Sequence, residues 1–267
     1  MNLVLQTLHA LWKSWLGAIA FYTVLPIPPN LSLSFQKVSR LAPTIGLLIG
    51  GILWLLDTIL VRLDLPPLTC SATLVVLWIL LTGGLHLDGA MDSADGLAVM
   101  DPNRRLEVMA DSRTGAFGVM AAVAIVILKT VTLSDLSLSR GWAILLAAAW
   151  GRWGQQMAIA CYPYLKPTGK GAFHKAALPS PWACIPSLIG LLAIHASWSV
   201  LVPGAAIISS MAFCAGGAIA CIVGYWFKGK LGGHTGDTYG AVVEITETLF
   251  LMSFILIEAT ITSQFNS

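Results

Sequence analysis

Three aspartates fall within eight residues of a chain that is otherwise poor in charge: the stretch GGLHLDGAMDSADGL carries Asp88, Asp92 and Asp95, and Asp111 follows. Spacings of four and three put the first three on one face of a helix. Carboxylates crowded in this way, without interleaved lysines, repel one another, and a divalent cation between them is the economical remedy. A hard cation held by aspartate oxygens points to phosphate chemistry. Helix capping or interfacial solvation would account for one such residue better than for three flanked by apolar turns, because ionisable groups at membrane depth are costly. His86, two residues before Asp88, suits a ligand, a hydrogen-bond partner or a structural role.

Two further constellations follow. The stretch DPNRRLEVMADSRTGAFG supplies Arg104, Arg105, Glu107, Asp111, Ser112 and Arg113. Glu107 and Asp111 are four apart, which predicts a second acidic helix face, with arginines whose guanidinium forks grip phosphate oxygens. Arg104 and Arg105 serve equally well as topology-setting charges, whereas Arg113, between Asp111 and Gly115, is the better phosphate ligand. The last constellation, GGHTGDTYGAVVEITE, holds Gly232, Gly233, His234, Gly236, Asp237, Gly240, Glu244 and Glu247. Glycines at a helix start offer backbone N–H groups to anions, and the two glutamates reach inward from the last apolar span. Asp237 is placed equally well for an N-cap. Arg152, with Gln155 and Gln156 in AAAWGRWGQQMAIA, is the natural charge partner of the glutamates.

The elements that carry these residues are set by composition. Of 267 residues, 57% are hydrophobic and only 10% charged, with a mean hydropathy of +0.80. That is an integral membrane protein, all-α, read as one domain over residues 1–267. Seven stretches approach the ~20 apolar residues that a crossing needs: 41–63, 69–87, 116–134, 141–162, 183–201, 203–227 and 239–262. Residues 15–28 are shorter and end in prolines, which predicts an interfacial or re-entrant segment. No basic start or cleavage site marks a removable signal peptide. With the N-terminal region in the cytoplasm, that side collects Lys13, Lys37, Arg40, Arg104, Arg105, Arg113, Lys166, Lys170, Lys175, Lys228 and Lys230, against Arg62 and Arg140 opposite. Eleven against two predicts a cytoplasmic site. The five cysteines, none in a CxxC pair, read as small core residues.

In pieces, Asp92-Ser-Ala-Asp95-Gly96 and the Gly84, Asp88, Asp92 spacing resemble elements of the CDP-alcohol phosphotransferases, but Ala98 is followed by Val99 where that family has an alanine-arginine pair. Taken together, GGLHLDGAMDSADGL, DSRTGAFG and GDTYGAVVE resemble the cobalamin (5′-phosphate) synthases, the adenosylcobinamide-GDP ribazoletransferases. The resemblance runs from FYTVLPIP, through PTIGLLIGG, to the last span.

That resemblance implies a magnesium-dependent, multi-pass enzyme of the plasma (inner) membrane of a prokaryote. It would join adenosylcobinamide-GDP to α-ribazole, or to its 5′-phosphate, with release of GMP. It implies a metal and diphosphate site built from Asp88, Asp92, Asp95 and Asp111, with one of the first three as base. Glu244 is nominated as a further metal ligand, and His86, Arg104, Arg105, Arg113, Arg152, Gly236 and Asp237 as substrate ligands. The partners implied are the corrinoid nucleotide, α-ribazole and the lipid bilayer, with no nucleic acid; a homo-oligomer or association with other enzymes of the same pathway is compatible. A lipid phosphotransferase and a cation transporter are the competing classes, the latter disfavoured by acids gathered at one end of the spans and by the lack of an internal repeat.

Overall fold

The computed structural model describes residues 3–136, 139–166 and 171–265, with side chains over 5–136, 139–166 and 171–261; Lys170 lies outside these residues. Among them the chain forms eleven α-helices and no β-strand. Five segments are long and apolar enough to cross a bilayer: α2 (Val38–Arg62), α6 (Ala116–Asp135), Pro181–Leu201 comprising a 3-10 turn and α9 (Ile185–Leu201), α10 (Ala206–Leu231), and the Gly236–Ile261 part of α11 (Gly236–Phe265). Large apolar side chains such as Leu55, Val123, Ile127, Ile189, Ile222 and Leu256 are exposed on their outer faces. In water such faces would aggregate; against lipid they are solvated.

The centre of the bundle is α7 (Arg140–Cys161), which packs against α2, α10 and α11. Every residue from Leu146 to Ala160 is buried. Its Arg152, Gln155 and Gln156 lower its hydropathy, so it is absent from the five apolar segments although its 22 residues rise about 33 Å. Small residues let the α2 and α7 backbones touch: a Cβ on Gly46 would lie 2.5 Å from the Ala148 carbonyl oxygen, and one on Gly50 2.7 Å from Leu145 Cα. Without a hydrophobic drive between helices in lipid, such backbone approach is the main source of packing attraction.

The expected straight span over 69–87 is instead broken. α3 (Pro67–Leu81) ends before Gly83 and Gly84, whose φ of 61° and 69° lie in the left-handed region, and α4 (Leu85–Ala98) leaves at 91°. Glycine alone takes that conformation cheaply, so the pair converts a span into a corner. Only if α3 and α4 are counted together does a sixth apolar segment arise. α4 then lies across the N-terminal ends of α6 and α11.

The N-terminal segment also differs: α1 runs over Leu3–Tyr22, well before residue 15, and extended chain follows through the prolines. Of the cysteines, Cys70 and Cys184 are buried as expected, but Cys161, Cys214 and Cys221 are exposed. A thiol is apolar enough to face lipid as readily as core.

Candidate active site

Two glycines bring the acidic helix onto the start of α11. A Cβ on Gly89 would lie 2.5 Å from the Asp237 carbonyl oxygen, and one on Gly240 3.0 Å from that of His86. The α11 N-terminus is closed by Thr235 and Thr238: the Thr238 N–H donates to Thr235 Oγ1 at 3.2 Å, and the Thr235 N–H to Thr238 Oγ1 at 2.8 Å. This reciprocal cap leaves Asp237, in the first turn, free of the N-cap role that its position suggests. Its carboxylate accepts from Thr235 Oγ1 at 3.2 Å and from Lys166 Nζ at 3.3 Å. Lys166 is held there because the chain before it pairs with the Gly-rich loop, Leu165 N–H to the His234 carbonyl and His234 N–H to the Pro163 carbonyl, both at 2.8 Å.

Behind this crossing lies a cavity of about 390 Å³. Asp88, Gly236 and Asp237 line it together with His86, Gln155, His174, Phe21 and Tyr239, contributed by α1, α4, α7, α8 (Ala172–Ala177) and α11. His86 Nε2, Gln155 Oε1, His174 Nδ1 and Tyr239 OH are buried without a hydrogen-bond partner. Burial pulls His174 down to about 4, so its imidazole is neutral at physiological pH. Of these residues, sequence reasoning singled out His86, Asp88, Gly236 and Asp237 for the site. It missed Phe21, His174 and Tyr239 and treated Gln155 only as a partner of the glutamates, since no local spacing links residues that four separate helices bring together.

Along α4 the three aspartates have different fates. Asp92 is half-buried and feels Asp88, Asp237 and Asp95 as like charges, with Lys166 opposing them. Asp88 is exposed, and neither it nor Asp92 makes a hydrogen bond or ion pair with the described residues. Asp95 is fully engaged: its oxygens accept from the N–H groups of Gly115 at 2.7 Å and Gly118 at 2.8 Å, at the start of α6. Among the described residues no three His, Cys, Asp or Glu side chains converge as a ready metal cage. Magnesium demands less, because it keeps several waters and takes one or two carboxylates plus substrate phosphates. Two carboxylates without a partner among the described residues, Asp88 in the cavity lining and Asp92 one turn further along α4, crowded by Asp237 and Asp95, fit that donor set.

The second acidic helix face does not form. α5 is a single turn, Arg105–Val108, and Asp111 lies beyond it in a loop. Asp111 Oδ1 accepts the Arg113 N–H at 3.0 Å, a local bond that favours a turn over helix, and its carboxylate pairs with the Arg113 guanidinium, closest at 2.7 Å. Those bonds pull Asp111 down to about 2. Arg104 is exposed, 3.9 Å from Glu107. Arg105 donates to the carbonyls of Lys230 at 3.0 Å and Val99 at 3.3 Å, tying this loop to the end of α10. None of these loop side chains lines the cavity.

Arg152 and Glu247 do pair, through a short Nη1 to Oε1 contact between α7 and α11. The structure adds Lys129 of α6, whose ammonium lies 2.6 Å from Glu244 and 2.5 Å from Glu247, with the Trp78 ring 4.6 Å away. Two cations and two anions thus form a buried neutral set, in which Glu244 is occupied. The available signal was a lone lysine inside AFGVMAAVAIVILKTVTLSD, since a cation at that depth requires an acidic partner.

These features define a multi-pass helical membrane protein with a carboxylate-rimmed cavity where its acidic helix crosses two helix starts. Comparison with known proteins is more specific: the cobalamin-5-phosphate synthase family model matches residues 14–255, and the chain belongs to that family. A relative from Trichormus variabilis is 57% identical over 237 residues, covering 88% of this chain and 94% of its own. Relatives from Thermosynechococcus vestitus and Synechococcus elongatus are 49% and 48% identical, each covering 92% of this chain and 98% of their own. All three are named adenosylcobinamide-GDP ribazoletransferase. No solved structure matches the chain.

Proposed function

We propose that the chain joins adenosylcobinamide-GDP to α-ribazole, or to α-ribazole 5′-phosphate, forming adenosylcobalamin or its 5′-phosphate and releasing GMP. Beyond family membership, the observation that carries this reading is the pair Asp88 and Asp92, without a partner among the described residues and crowded by Asp237, with Asp88 and Asp237 lining a cavity whose residues carry unpartnered polar atoms. The acceptor's 5′-oxygen forms a bond to the phosphorus bearing the cobinamide arm. The bond from that phosphorus to the bridging oxygen breaks, and GMP leaves with the electron pair. The hydroxyl proton passes to Asp88 or Asp92, which act as one coupled set. Magnesium held by these two carboxylates would supply charge neutralisation on the diphosphate. Lys166 adds a positive charge beside Asp237, and Arg113 stands, paired with Asp111, on the loop that Gly115 docks against Asp95. Positioning and electrostatics carry most of such a transfer.

The charge distribution supports placing this site at the cytoplasmic face of a prokaryotic plasma membrane, and α7 is read as a seventh crossing within a single domain. The buried charges of α7 are masked by its neighbours, so its low hydropathy does not prevent it from spanning.

The test is to incubate purified protein in lipid with adenosylcobinamide-GDP, α-ribazole and magnesium, with and without chelator. Metal-dependent coupled corrinoid product with stoichiometric GMP is expected. Well-folded protein that makes no product from these substrates would overturn the reading.

A further inference from the structure

The phosphate chemistry uses the rim of the cavity and leaves its interior unexplained. His86, Gln155, His174 and Tyr239 are 1%, 5%, 5% and 1% exposed, and each presents a polar atom without a partner. Such atoms weaken the protein unless a ligand completes them. Half-buried Phe21 adds aromatic surface to the same lining, whereas the Tyr239 ring is already stacked by Tyr164 and His234 and contributes its hydroxyl, so the cavity residues carry an aromatic ring together with several unfilled hydrogen-bonding atoms.

Resting on the reaction proposed above, we infer that this cavity is the guanine pocket, which takes the base of the nucleotide substrate and holds GMP until release. Guanine presents O6 and N7 as acceptors and its 2-amino group and N1–H as donors. It can therefore meet several of the four open positions at once. Among them Gln155 Oε1 only accepts, and guanine's N1–H and 2-amino group are donors of the kind it lacks. The benzimidazole base of α-ribazole has one free ring nitrogen, no N–H and otherwise carbon edges, so it would leave that oxygen buried and unpaired.

The arrangement of the rim agrees. Asp88 and Asp237 line the same cavity as His86 and Gln155, so a nucleotide entering base-first leaves its diphosphate beside the carboxylates. A more open hollow of about 430 Å³, with Leu85, Leu87 and Met91 in its lining, also borders Asp88. Its apolar side chains leave room for an acceptor base without donors, approaching the reacting phosphorus from a different side than the departing GMP.

The experiment uses the full chain in lipid and two readouts. In steady-state kinetics, Gln155→Leu is expected to raise KM for adenosylcobinamide-GDP at least about tenfold, with KM for α-ribazole unchanged. On the wild-type protein, GMP is expected to inhibit at least about tenfold more tightly than IMP, which lacks the 2-amino group, and Gln155→Leu to shrink that difference. Should the variant fail to fold, photolabelling of the wild-type protein with 8-azido-GMP decides: label on peptides containing Phe21, His174 or Tyr239, blocked by GMP, is expected. Label confined elsewhere, or a Gln155→Leu effect on KM for α-ribazole alone, would overturn the guanine pocket while coupled product still upheld the reaction. GMP-protected labelling of the cavity in a protein that forms no product would overturn the reaction and leave the pocket standing.

Discussion

The carboxylate of Asp95 is seated on the start of α6 by Gly115, whose N–H donates to it at 2.7 Å, and a second oxygen takes the Gly118 N–H at 2.8 Å. A Cβ on Gly118 would lie 2.5 Å from that carboxylate, and one on Gly115 would also collide with it. The TGAFG run is therefore a cradle for an aspartate twenty residues earlier in sequence. A negative group accepting from a helix N-terminus stabilises the helix, so Asp95→Asn is expected to cost about 1–2 kcal/mol. The measurement is the denaturation midpoint in detergent, and Gly118→Ala should move it in the same direction. Asp95→Asn protein with an unchanged midpoint and no turnover would instead make Asp95 a member of the reacting set.

Asp88 and Asp92 should behave in the opposite way. Among the described residues they make no hydrogen bond that their loss would break, and removing one relieves repulsion along α4. Asp92→Asn and Asp88→Asn are each expected to lower kcat/KM by at least about 100-fold while leaving the denaturation midpoint unchanged or higher. The magnesium concentration for half-maximal residual activity should rise. Near-normal turnover in both variants would remove them from the chemistry.

What could be read in advance divides along this same line. Helical membrane character, most span limits and the acidic face were legible, because apolar length and i, i+4, i+7 spacing are local properties. The fate of Asp95 was hidden, since spacing makes it equivalent to Asp88 and Asp92, and only the fold brings Gly115 to it. The corner at Gly83 and Gly84 was equally hidden: both flanking segments are apolar, and hydropathy averages over the break. Asp237 was open between cap and ligand until Thr238 proved to complete the cap with Thr235. The polar lining of the cavity drew on α4, α7, α8 and α11 together, which no single motif contains.

Lys129 holds two buried glutamates that would otherwise face each other across one helical turn of α11. Lys129→Met leaves Arg152 as the cation facing the pair, and removing one partner of a buried ion set costs about 3–5 kcal/mol. A markedly lower denaturation midpoint is expected. Adding Glu244→Gln to Lys129→Met restores neutrality with the Arg152 and Glu247 pair intact, so the double variant should recover part of the loss. A double variant no more stable than the single one would show that packing of the lysine stem, against Trp78 for instance, outweighs its charge.

The exposed pair of Asp111 and Arg113 makes a pH prediction whose sign follows from hydrogen bonding. The Arg113 guanidinium and N–H both donate to the Asp111 carboxylate, which they pull down to about 2, below the free aspartate value of about 3.9. A depressed acid contributes its stabilisation above the unfolded value and loses it as pH falls through the folded one. The loop should therefore stay locked across the neutral range and loosen only between about pH 4 and pH 2. The Arg113 backbone amide, bonded to Asp111 Oδ1, is a direct NMR reporter, and its titration midpoint is expected near 2. Arg113→Gln should move the Asp111 midpoint up toward 4, while Asp111→Asn should abolish it. A midpoint near 4 in the unaltered protein would mean that the pair does not form. With Asp111 titrating this low, any pH dependence of turnover above about pH 5 must arise elsewhere. Asp92, which burial and then the neighbouring carboxylates raise to about 6, is the acid of α4 that would titrate in that range.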